Sequence, residues 1–213
     1  MTARPRFITL EGIEGVGKST QLQRLVAWLR QHDIPLIDTR EPGGSPVGNR
    51  IRELLLTTAE TAPAAETELL LMFAARAEHL NKTIEPALAA GNWVISDRFT
   101  DASYAYQGGG RGIPAARIET LEHWVQGARQ PDRTLLFDAP VEQALTRARG
   151  RGPADRFEQE TQAFFERVRE AYLDRVRANP DRFRIIDASG DIDAVSAEVQ
   201  RQTMDLLPAG LAR

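Results

Sequence analysis

Cysteine is absent from the 213 residues of this sequence. Its absence excludes disulfide bonds, thiolate zinc sites and cysteine nucleophiles, and it is compatible with a reducing compartment. Long apolar runs are missing too: no stretch approaches the ~18 residues of a membrane-spanning helix, and the first residues lack the pattern of a signal peptide. We therefore expect a cytoplasmic protein with no membrane partner.

Lysine is scarce as well. The 27 basic residues are 25 arginines and two lysines, Lys18 and Lys82, and the net charge is −3. That balance gives no sign of a surface for nucleic acids. GC-rich codon usage accounts for the ratio of arginine to lysine. The scarcity of lysine nevertheless raises the question of why position 18 is a lysine.

Short apolar runs alternate with longer amphipathic stretches along the chain. Strands are predicted at 7–10, 36–39, 93–96, 134–137 and 183–186, and helices at 19–31, 47–56, 66–90, 114–126, 141–149, 160–178 and 192–207. This alternation predicts an α/β fold with a parallel sheet that helices cover on both faces. Pro86 is expected to kink or end the third helix, because its ring removes a backbone donor.

Two segments rich in glycine, 108–112 and 147–153, interrupt this pattern. Glycine at such density is costly in a regular element, so both are expected to be irregular surface connections. Alternating glycine and arginine in the second segment also suits a lid that binds an anion. We expect one domain spanning 1–213, with a lid at about 147–158.

The residues between the first strand and the first helix match the phosphate-loop motif G-x-x-x-x-G-K-[ST]. The glycines allow backbone N–H groups to surround phosphate oxygens, and the following helix directs its positive end at the same anion. Lys18 would reach the β- and γ-phosphates, and the Ser19 hydroxyl would bind Mg²⁺. The residues assigned to ATP are Gly12, Ile13, Glu14, Gly15, Val16, Gly17, Lys18, Ser19 and Thr20.

The motif is shared by ATPases, GTPases and kinases. A GTPase needs an N-K-x-D motif that recognises guanine. The sequence Asn81-Lys82-Thr83-Ile84 lacks the aspartate of that motif, so a GTPase is not favoured. A helicase or motor protein would usually be larger and more basic. A kinase and a non-catalytic nucleotide sensor remain as alternatives.

Charged residues follow the second and third strands. Asp97 and Arg98 end the third strand, where ligands lie in a doubly wound sheet, so both are expected to face the phosphate loop. Asp97 can hold Mg²⁺ directly or through water, and Arg98 can bind a phosphate with two N–H groups. The alternative is a local ion pair between them. Arg40-Glu41-Pro42-Gly43-Gly44 follows the second strand in a similar way.

One predicted helix face combines Leu69, Phe73, Arg76 and Leu80. An arginine on an otherwise apolar face is awkward for a core. A nucleobase stacked on Phe73, with Arg76 bonding its carbonyl edge, would account for the combination. Alternatively, Phe73 lies in the core and Arg76 is paired at its margin.

Residues 1 to about 207 resemble the bacterial thymidylate kinases. The matching stretches are 11–20, Thr39-Arg40-Glu41-Pro42-Gly43-Gly44, Met72-Phe73-Ala74-Ala75-Arg76, Asp97-Arg98-Phe99, 105–112 and Asp155-Arg156-Phe157-Glu158. The resemblance implies the P-loop nucleotide-kinase fold with a five-stranded parallel sheet, a homodimer, and transfer of the γ-phosphoryl group of Mg·ATP to dTMP. It also implies a phosphotransferase with small-molecule substrates.

The resemblance further implies roles for individual residues. Phe73 would stack on thymine, while Arg76, Ser103 and Gln107 would contact the base. Tyr106 would pack beside the deoxyribose and disfavour a 2′-hydroxyl. Glu14 is also assigned to substrate binding. Arg52 and Arg98 would hold the acceptor phosphate, and Glu41 and Asp97 would assist the metal or its waters. Tyr104 departs from the family pattern, in which a polar amide can occupy this position.

In one variant of the family the phosphate loop carries no catalytic arginine and the lid supplies it. Glu14 and Val16 offer no loop arginine here, whereas Arg147, Arg149, Arg151 and Arg156 populate the lid. We assign Arg147 to ATP and Arg149 to catalysis, with Arg151 or Arg156 as the fallback. A general base is not needed, because the acceptor phosphate is largely ionised near neutral pH. A kinase acting on UMP or on deoxynucleosides is the nearest rival.

Overall fold

The computed structural model describes residues 4–57, 62–149 and 156–208. The described strands are β1 (Phe7–Glu11), β2 (Leu36–Arg40), β3 (Trp93–Asp97), β4 (Arg133–Asp138) and β5 (Phe183–Asp187). The described α-helices are α1 (Lys18–Gln31), α2 (Pro46–Leu56), α3 (Ala65–His79), α4 (Glu85–Ala89), α5 (Thr100–Ser103), α6 (Ala115–Gln126), α7 (Val141–Arg149), α8 (Gln162–Ala178) and α9 (Ile192–Arg201). Two π-helical segments, Leu80–Ile84 and Tyr104–Gly110, and a short 3₁₀ helix, Met204–Leu206, complete the described elements.

The strands form one parallel sheet in the order β2-β3-β1-β4-β5, which confirms the predicted α/β fold. β1 is buried along its whole length, and β3 and β4 nearly so, whereas the edge strands are partly exposed. Helices on both faces explain why the central strands are continuously apolar. Strands β2 and β3 lie on one side of β1, and β4 and β5 lie on the other. The carboxyl end of β1 is therefore a topological switch point, where ligands bind.

Helices α1 and α8 supply much of the main core. Leu25 and Leu29 of α1, with Phe165 and Tyr172 of α8, are at most 1% exposed. Burial of each such side chain stabilises the fold by ~1.5–3 kcal/mol. These contacts fix α1 behind the phosphate loop and α8 against the segment 104–110.

The segment 108–110 corrects the sequence prediction of an irregular connection, because it belongs to the π-helical segment Tyr104–Gly110. The glycines permit close contact with α8. A Cβ atom on Gly109 would lie 2.8 Å from the Arg167 carbonyl oxygen, and one on Gly110 would lie 2.5 Å from the Phe164 ring. Close helix contact therefore offsets the conformational cost of glycine here. Of the second glycine-rich segment, 147–149 end α7 and 150–153 lie outside the described residues.

The third predicted helix, 66–90, is interrupted by a π-helical segment before Pro86, so Pro86 does not end it, and the predicted kink stays a prediction. α3 ends at His79, a π-helical segment follows, and Pro86 lies in the first turn of α4. The last helix ends at Arg201 rather than at 207, and the 3₁₀ turn follows it. No helix within the described residues is both long and apolar enough to cross a membrane.

Candidate active site

A cavity of about 200 Å³ opens at the carboxyl ends of β1, β2 and β3. The sequence-predicted residues that line it are Glu14, Gly15, Gly17, Lys18, Ser19, Glu41, Arg52, Arg76, Asp97, Arg98, Ser103, Tyr106 and Gln107. The structure thus brings the phosphate loop together with residues from α2, α3, β3 and the segment 100–110. Met72, Phe157 and Glu158 also line it, although the sequence analysis gave them no role.

The phosphate loop depends on glycine at particular positions. Gly15 and Gly17 have φ values of +80° and +93°, which favour glycine. A Cβ atom on Gly15 would also lie 1.8 Å from the carbonyl oxygen of Ala144 in α7. The loop and α7 therefore pack too closely for any side chain at this position.

Lys18 is turned onto its own loop. Its ammonium donates to the carbonyl oxygens of Gly12 and Ile13, at 2.9 and 2.8 Å, and the residue is 7% exposed. Burial, with a contribution from the Arg98 charge, lowers the pKa of Lys18 to about 8. An anionic ligand at the loop would reverse this effect, since opposite charge favours the protonated amine.

Arg98 is held at both its backbone and its guanidinium. Its backbone φ is +74°, and its Nη2 donates to Glu14 at 2.8 Å and to the Tyr106 hydroxyl at 3.0 Å. Its Nη1 donates to the Gly12 carbonyl oxygen and to the Tyr172 hydroxyl, each at 3.0 Å. The described ion pair of Arg98 is with Glu14, not the local pair with Asp97 that the sequence left open.

Asp97 and Ser19 face the cavity together. Oδ1 of Asp97 is buried and has no hydrogen-bond partner among the described residues. Mg²⁺ is typically held by one or two protein oxygens together with substrate phosphates. No group of three or more acidic or histidine side chains in the described ranges could hold a metal without such help. An unpaired carboxylate oxygen and a serine in the lining of one cavity therefore fit Mg²⁺ that arrives with a nucleotide.

A buried network holds Arg76. Its Nε donates to Glu41 at 2.8 Å, and its Nη2 donates to the Ser103 hydroxyl at 3.0 Å. His79 lies 2.9 Å from the other Glu41 oxygen and 2.7 Å from the Thr39 hydroxyl. Burial opposes ionisation of Glu41, but Arg76 and His79 outweigh it and lower its pKa. One oxygen of Glu41 thus pairs with Arg76 and the other with His79, and the metal-assisting role of Glu41 stays a prediction.

One guanidinium nitrogen of Arg76 has no partner among the described residues. Its Nη1 is buried without a hydrogen-bond partner in the part of the chain that the structure describes. A buried donor left unpaired costs ~1–3 kcal/mol. A ligand carbonyl in the cavity would remove that cost.

Phe73 is not where the base-stacking prediction needs it. The ring is 2% exposed and packs with Leu69, Ile113 and Ile118, while the guanidinium of Arg76 lies 4.5 Å from the ring centroid. Met72, rather than Phe73, is among the described residues that line the cavity. The geometry corresponds to the alternative of Phe73 in the core. Residues four apart share a helix face, and Met72 is four residues before Arg76.

The remaining predicted contacts lie on the same wall. Tyr106 is 5% exposed and donates to Glu14 at 2.5 Å, and Gln107 donates to Glu68 at 2.8 Å. Arg52 of α2 donates to the carbonyl oxygen of Pro42, which follows a cis peptide bond.

The lid arginines are distributed differently from the cavity residues. Arg147 donates to the carbonyl oxygens of Ala188 and Ser189, and Arg149 is exposed at the end of α7. Arg156 donates to Glu68 at 2.6 Å and to the Leu55 carbonyl oxygen at 2.9 Å.

Arg151 lies outside the described residues. The loop residues Gly12, Ile13, Val16 and Thr20 are assigned to ATP but are not among the described lining of the cavity.

Comparisons with known proteins agree on one family. A sequence model described as "Thymidylate kinase" matches residues 10–199. The chain is 56% identical over 207 residues to the thymidylate kinase of Pseudomonas putida (strain GB-1), covering 97% of each chain. It is 58% identical over 207 residues to that of Pseudomonas entomophila (strain L48), again covering 97% of each. The crystal structure of thymidylate kinase from Ehrlichia chaffeensis is similar at a TM-score of 0.75 and 34% identity, over 92% of this chain and 97% of that one.

Proposed function

The chain belongs to the thymidylate kinase family, and we propose how its cavity transfers the γ-phosphoryl group of ATP to dTMP, giving dTDP and ADP for dTTP synthesis. The observation that carries the assignment is the shared cavity of Lys18, Arg98 and Arg76. The phosphate-loop lysine, the arginine assigned to the acceptor phosphate and an arginine with one unpaired nitrogen line the same space.

Thymine occupies the end of the cavity near α3. The free Nη1 of Arg76 donates to a pyrimidine carbonyl, while Ser103 and Gln107 contact the polar edge of the base. Met72 supplies an apolar surface beside the ring. Tyr106 packs beside the deoxyribose, where its buried ring leaves little room for a 2′-hydroxyl.

Arg52 and Arg98 hold the acceptor phosphate. The phosphate is largely ionised at neutral pH because its second pKa is about 6, so no general base is required. None of the three histidines is among the described lining residues, and His79 is engaged with Glu41 and Thr39. Catalysis is then a matter of position and charge compensation between two anions.

ATP lies on residues 12–20, and Lys18 turns from its loop carbonyls to the β- and γ-phosphates. Ser19 and Asp97 hold Mg²⁺, which neutralises charge on the phosphates when it is bound. The segment 147–158 is the lid, in which Arg149 or Arg151 compensates charge on the transferred group and Arg147 lies beside ATP. Arginines in this role contribute roughly 10³–10⁵-fold in related reactions.

The protein acts as a homodimer in this proposal. Support comes from apolar side chains on the outer surfaces of α2 and α3, since Val47, Leu54 and Leu70 are 49%, 58% and 56% exposed. Sedimentation velocity gives the test, because a single species of monomer mass at micromolar concentration contradicts a stable dimer. The cytoplasmic location stays a prediction from the sequence.

An acceptor panel tests the function. ADP release is measured with ATP, Mg²⁺ and either dTMP, dUMP, UMP or thymidine. We expect dTMP to have the highest kcat/KM. Faster turnover of UMP or thymidine would overturn the assignment in favour of another nucleotide or nucleoside kinase. ATP binding without turnover of any acceptor would indicate a nucleotide sensor.

A further inference from the structure

Glu11 is a buried carboxyl group at the end of β1, directly before the phosphate loop. It is 0% exposed and is not among the described lining residues of the cavity. One carboxyl oxygen accepts from the backbone N–H of Phe99 at 2.7 Å, and the other accepts from the Tyr172 hydroxyl at 2.8 Å. Both partners contact or adjoin Arg98.

The first contact supports the backbone at Arg98. A φ of +74° is unfavourable for a residue with a Cβ atom and persists only where the surroundings hold it. The Arg98 N–H donates to the Leu10 carbonyl oxygen at 3.0 Å, and the Ser96 hydroxyl donates to the Arg98 carbonyl oxygen at 2.7 Å. Glu11 fixes the next N–H, so the peptide groups on both sides of Arg98 are held.

The second contact supports the guanidinium. Tyr172 donates its one hydroxyl proton to Glu11, and the hydroxyl oxygen accepts from Nη1 of Arg98 at 3.0 Å. Among the described residues, the hydrogen-bond partners of Nη1 are therefore neutral: this phenol and the Gly12 carbonyl oxygen. These partners fix the direction of Nη1 without adding a second carboxylate to the ion pair that Nη2 makes with Glu14.

Tyr172 itself cannot touch the substrate. It is 1% exposed, belongs to the core face of α8 and is not among the described residues that line the cavity. Of the two groups that its hydroxyl contacts, Glu11 and Arg98, only Arg98 lines the described cavity, so we expect the hydroxyl to act on the acceptor phosphate through Arg98.

We propose that Tyr172, held by Glu11, is a positioning residue that orients Arg98 toward the phosphate of the acceptor. This inference rests on the proposed function, in which Arg98 holds that phosphate. Thymidine, which lacks the phosphate, gives a readout that a merely structural role would not produce.

The test compares Tyr172→Phe with Tyr104→Phe. Each change removes one hydroxyl that donates to a glutamate side chain. The Tyr104 hydroxyl lies 2.6 Å from Glu122 and is not among the described hydrogen-bond partners of Arg98. Dissociation constants for dTMP and thymidine are measured by calorimetry, alongside kcat and KM. We expect Tyr172→Phe to weaken dTMP binding about tenfold, since the lost bond involves a charged group, and to leave thymidine binding unchanged. Tyr104→Phe should change neither constant.

An unchanged affinity for dTMP, or an equal loss for dTMP and thymidine, would overturn the proposal. A cycle with Arg98→Met gives a second readout, in which Tyr172→Phe should have no further effect on dTMP binding. Circular dichroism of each variant establishes that it is folded at the assay temperature.

The same data separate two kinds of failure. If Arg98→Met weakens dTMP binding but Tyr172→Phe does not, the positioning role is wrong while the function stands. If Arg98→Met leaves dTMP binding unchanged, the acceptor-phosphate role of Arg98 is wrong and the positioning role falls with it. The acceptor panel decides independently whether dTMP is the substrate.

Discussion

The buried pair of Arg76 and Glu41 makes a quantitative prediction about folding. The two side chains are 2% and 4% exposed, and Nε lies 2.8 Å from the carboxylate oxygen. With charge centres roughly 4 Å apart, the attraction is about 4 kcal/mol at an effective dielectric constant near 20. Removal of one partner also leaves the other charge buried, so Arg76→Met should lower the free energy of unfolding by ~3–5 kcal/mol.

The loss should depend on pH with a definite sign. In the wild type, Arg76 and His79 lower the pKa of Glu41 despite burial, so its stabilising effect is present above the ordinary value of 4.5 and is lost as the pH falls below it. In Arg76→Met, burial still raises the pKa of Glu41, but the opposing effect of the Arg76 charge is lost. The variant should therefore regain part of its deficit relative to wild type between pH 7.5 and pH 5.

Urea denaturation at the two pH values provides the assay, with Glu41→Gln and the double variant completing a cycle. We expect a coupling free energy of at least ~1.5 kcal/mol, because the second change should cost much less once its partner is gone. Additivity within about 0.5 kcal/mol, or a deficit that is constant with pH, would refute the electrostatic reasoning.

Three further predictions concern single residues. Gly110→Ala should destabilise the fold by ~1–3 kcal/mol because its Cβ atom would meet the Phe164 ring. The control Gly190→Ala, with no atom within 4 Å of the added Cβ atom, should leave the melting temperature unchanged. Equal shifts in melting temperature for the two variants would contradict this prediction. ATP affinity should fall above pH 8, where Lys18 loses its proton; titration calorimetry that finds a constant ATP affinity up to pH 9.5 would rule this out. Because the folded-state pKa of Lys18 is lowered to about 8, the contribution of Lys18 to stability should rise between pH 8 and its ordinary pKa of 10.5. Arg149→Ala should lower kcat with little change in dTMP binding, and an unchanged kcat in the ADP-release assay would remove Arg149 from catalysis.

Much of the fold follows from local pattern. The predicted strands agree with β1 to β5 to within one residue at each end, since continuous apolar runs bounded by polar residues are a local signal. The phosphate loop was also readable, because its glycines, lysine and serine are adjacent in the chain. The predicted proximity of Asp97 and Arg98 to that loop is confirmed, because parallel strands end at a common edge.

The errors arose where contacts join distant parts of the chain. Glycines 108–110 form a regular element because α8 lies against them, about 57 residues later in sequence. Helical spacing placed Phe73 and Arg76 on one face, but a face is broad enough to include Met72 as well. Only the position of Leu69, Ile113 and Ile118 decides that Phe73 enters the core and Met72 lines the cavity.

The sequence by itself therefore determined the α/β fold and the phosphate loop with its Lys18, because each is encoded in neighbouring residues. The tertiary structure alone decided how the arginines are used. Arg98 faces the cavity between Glu14 and Tyr172, Arg76 is fixed by Glu41, and Arg156 is paired with Glu68. The sequence shows only that each position is an arginine. The charge that each arginine can offer a phosphate depends on partners supplied by other elements.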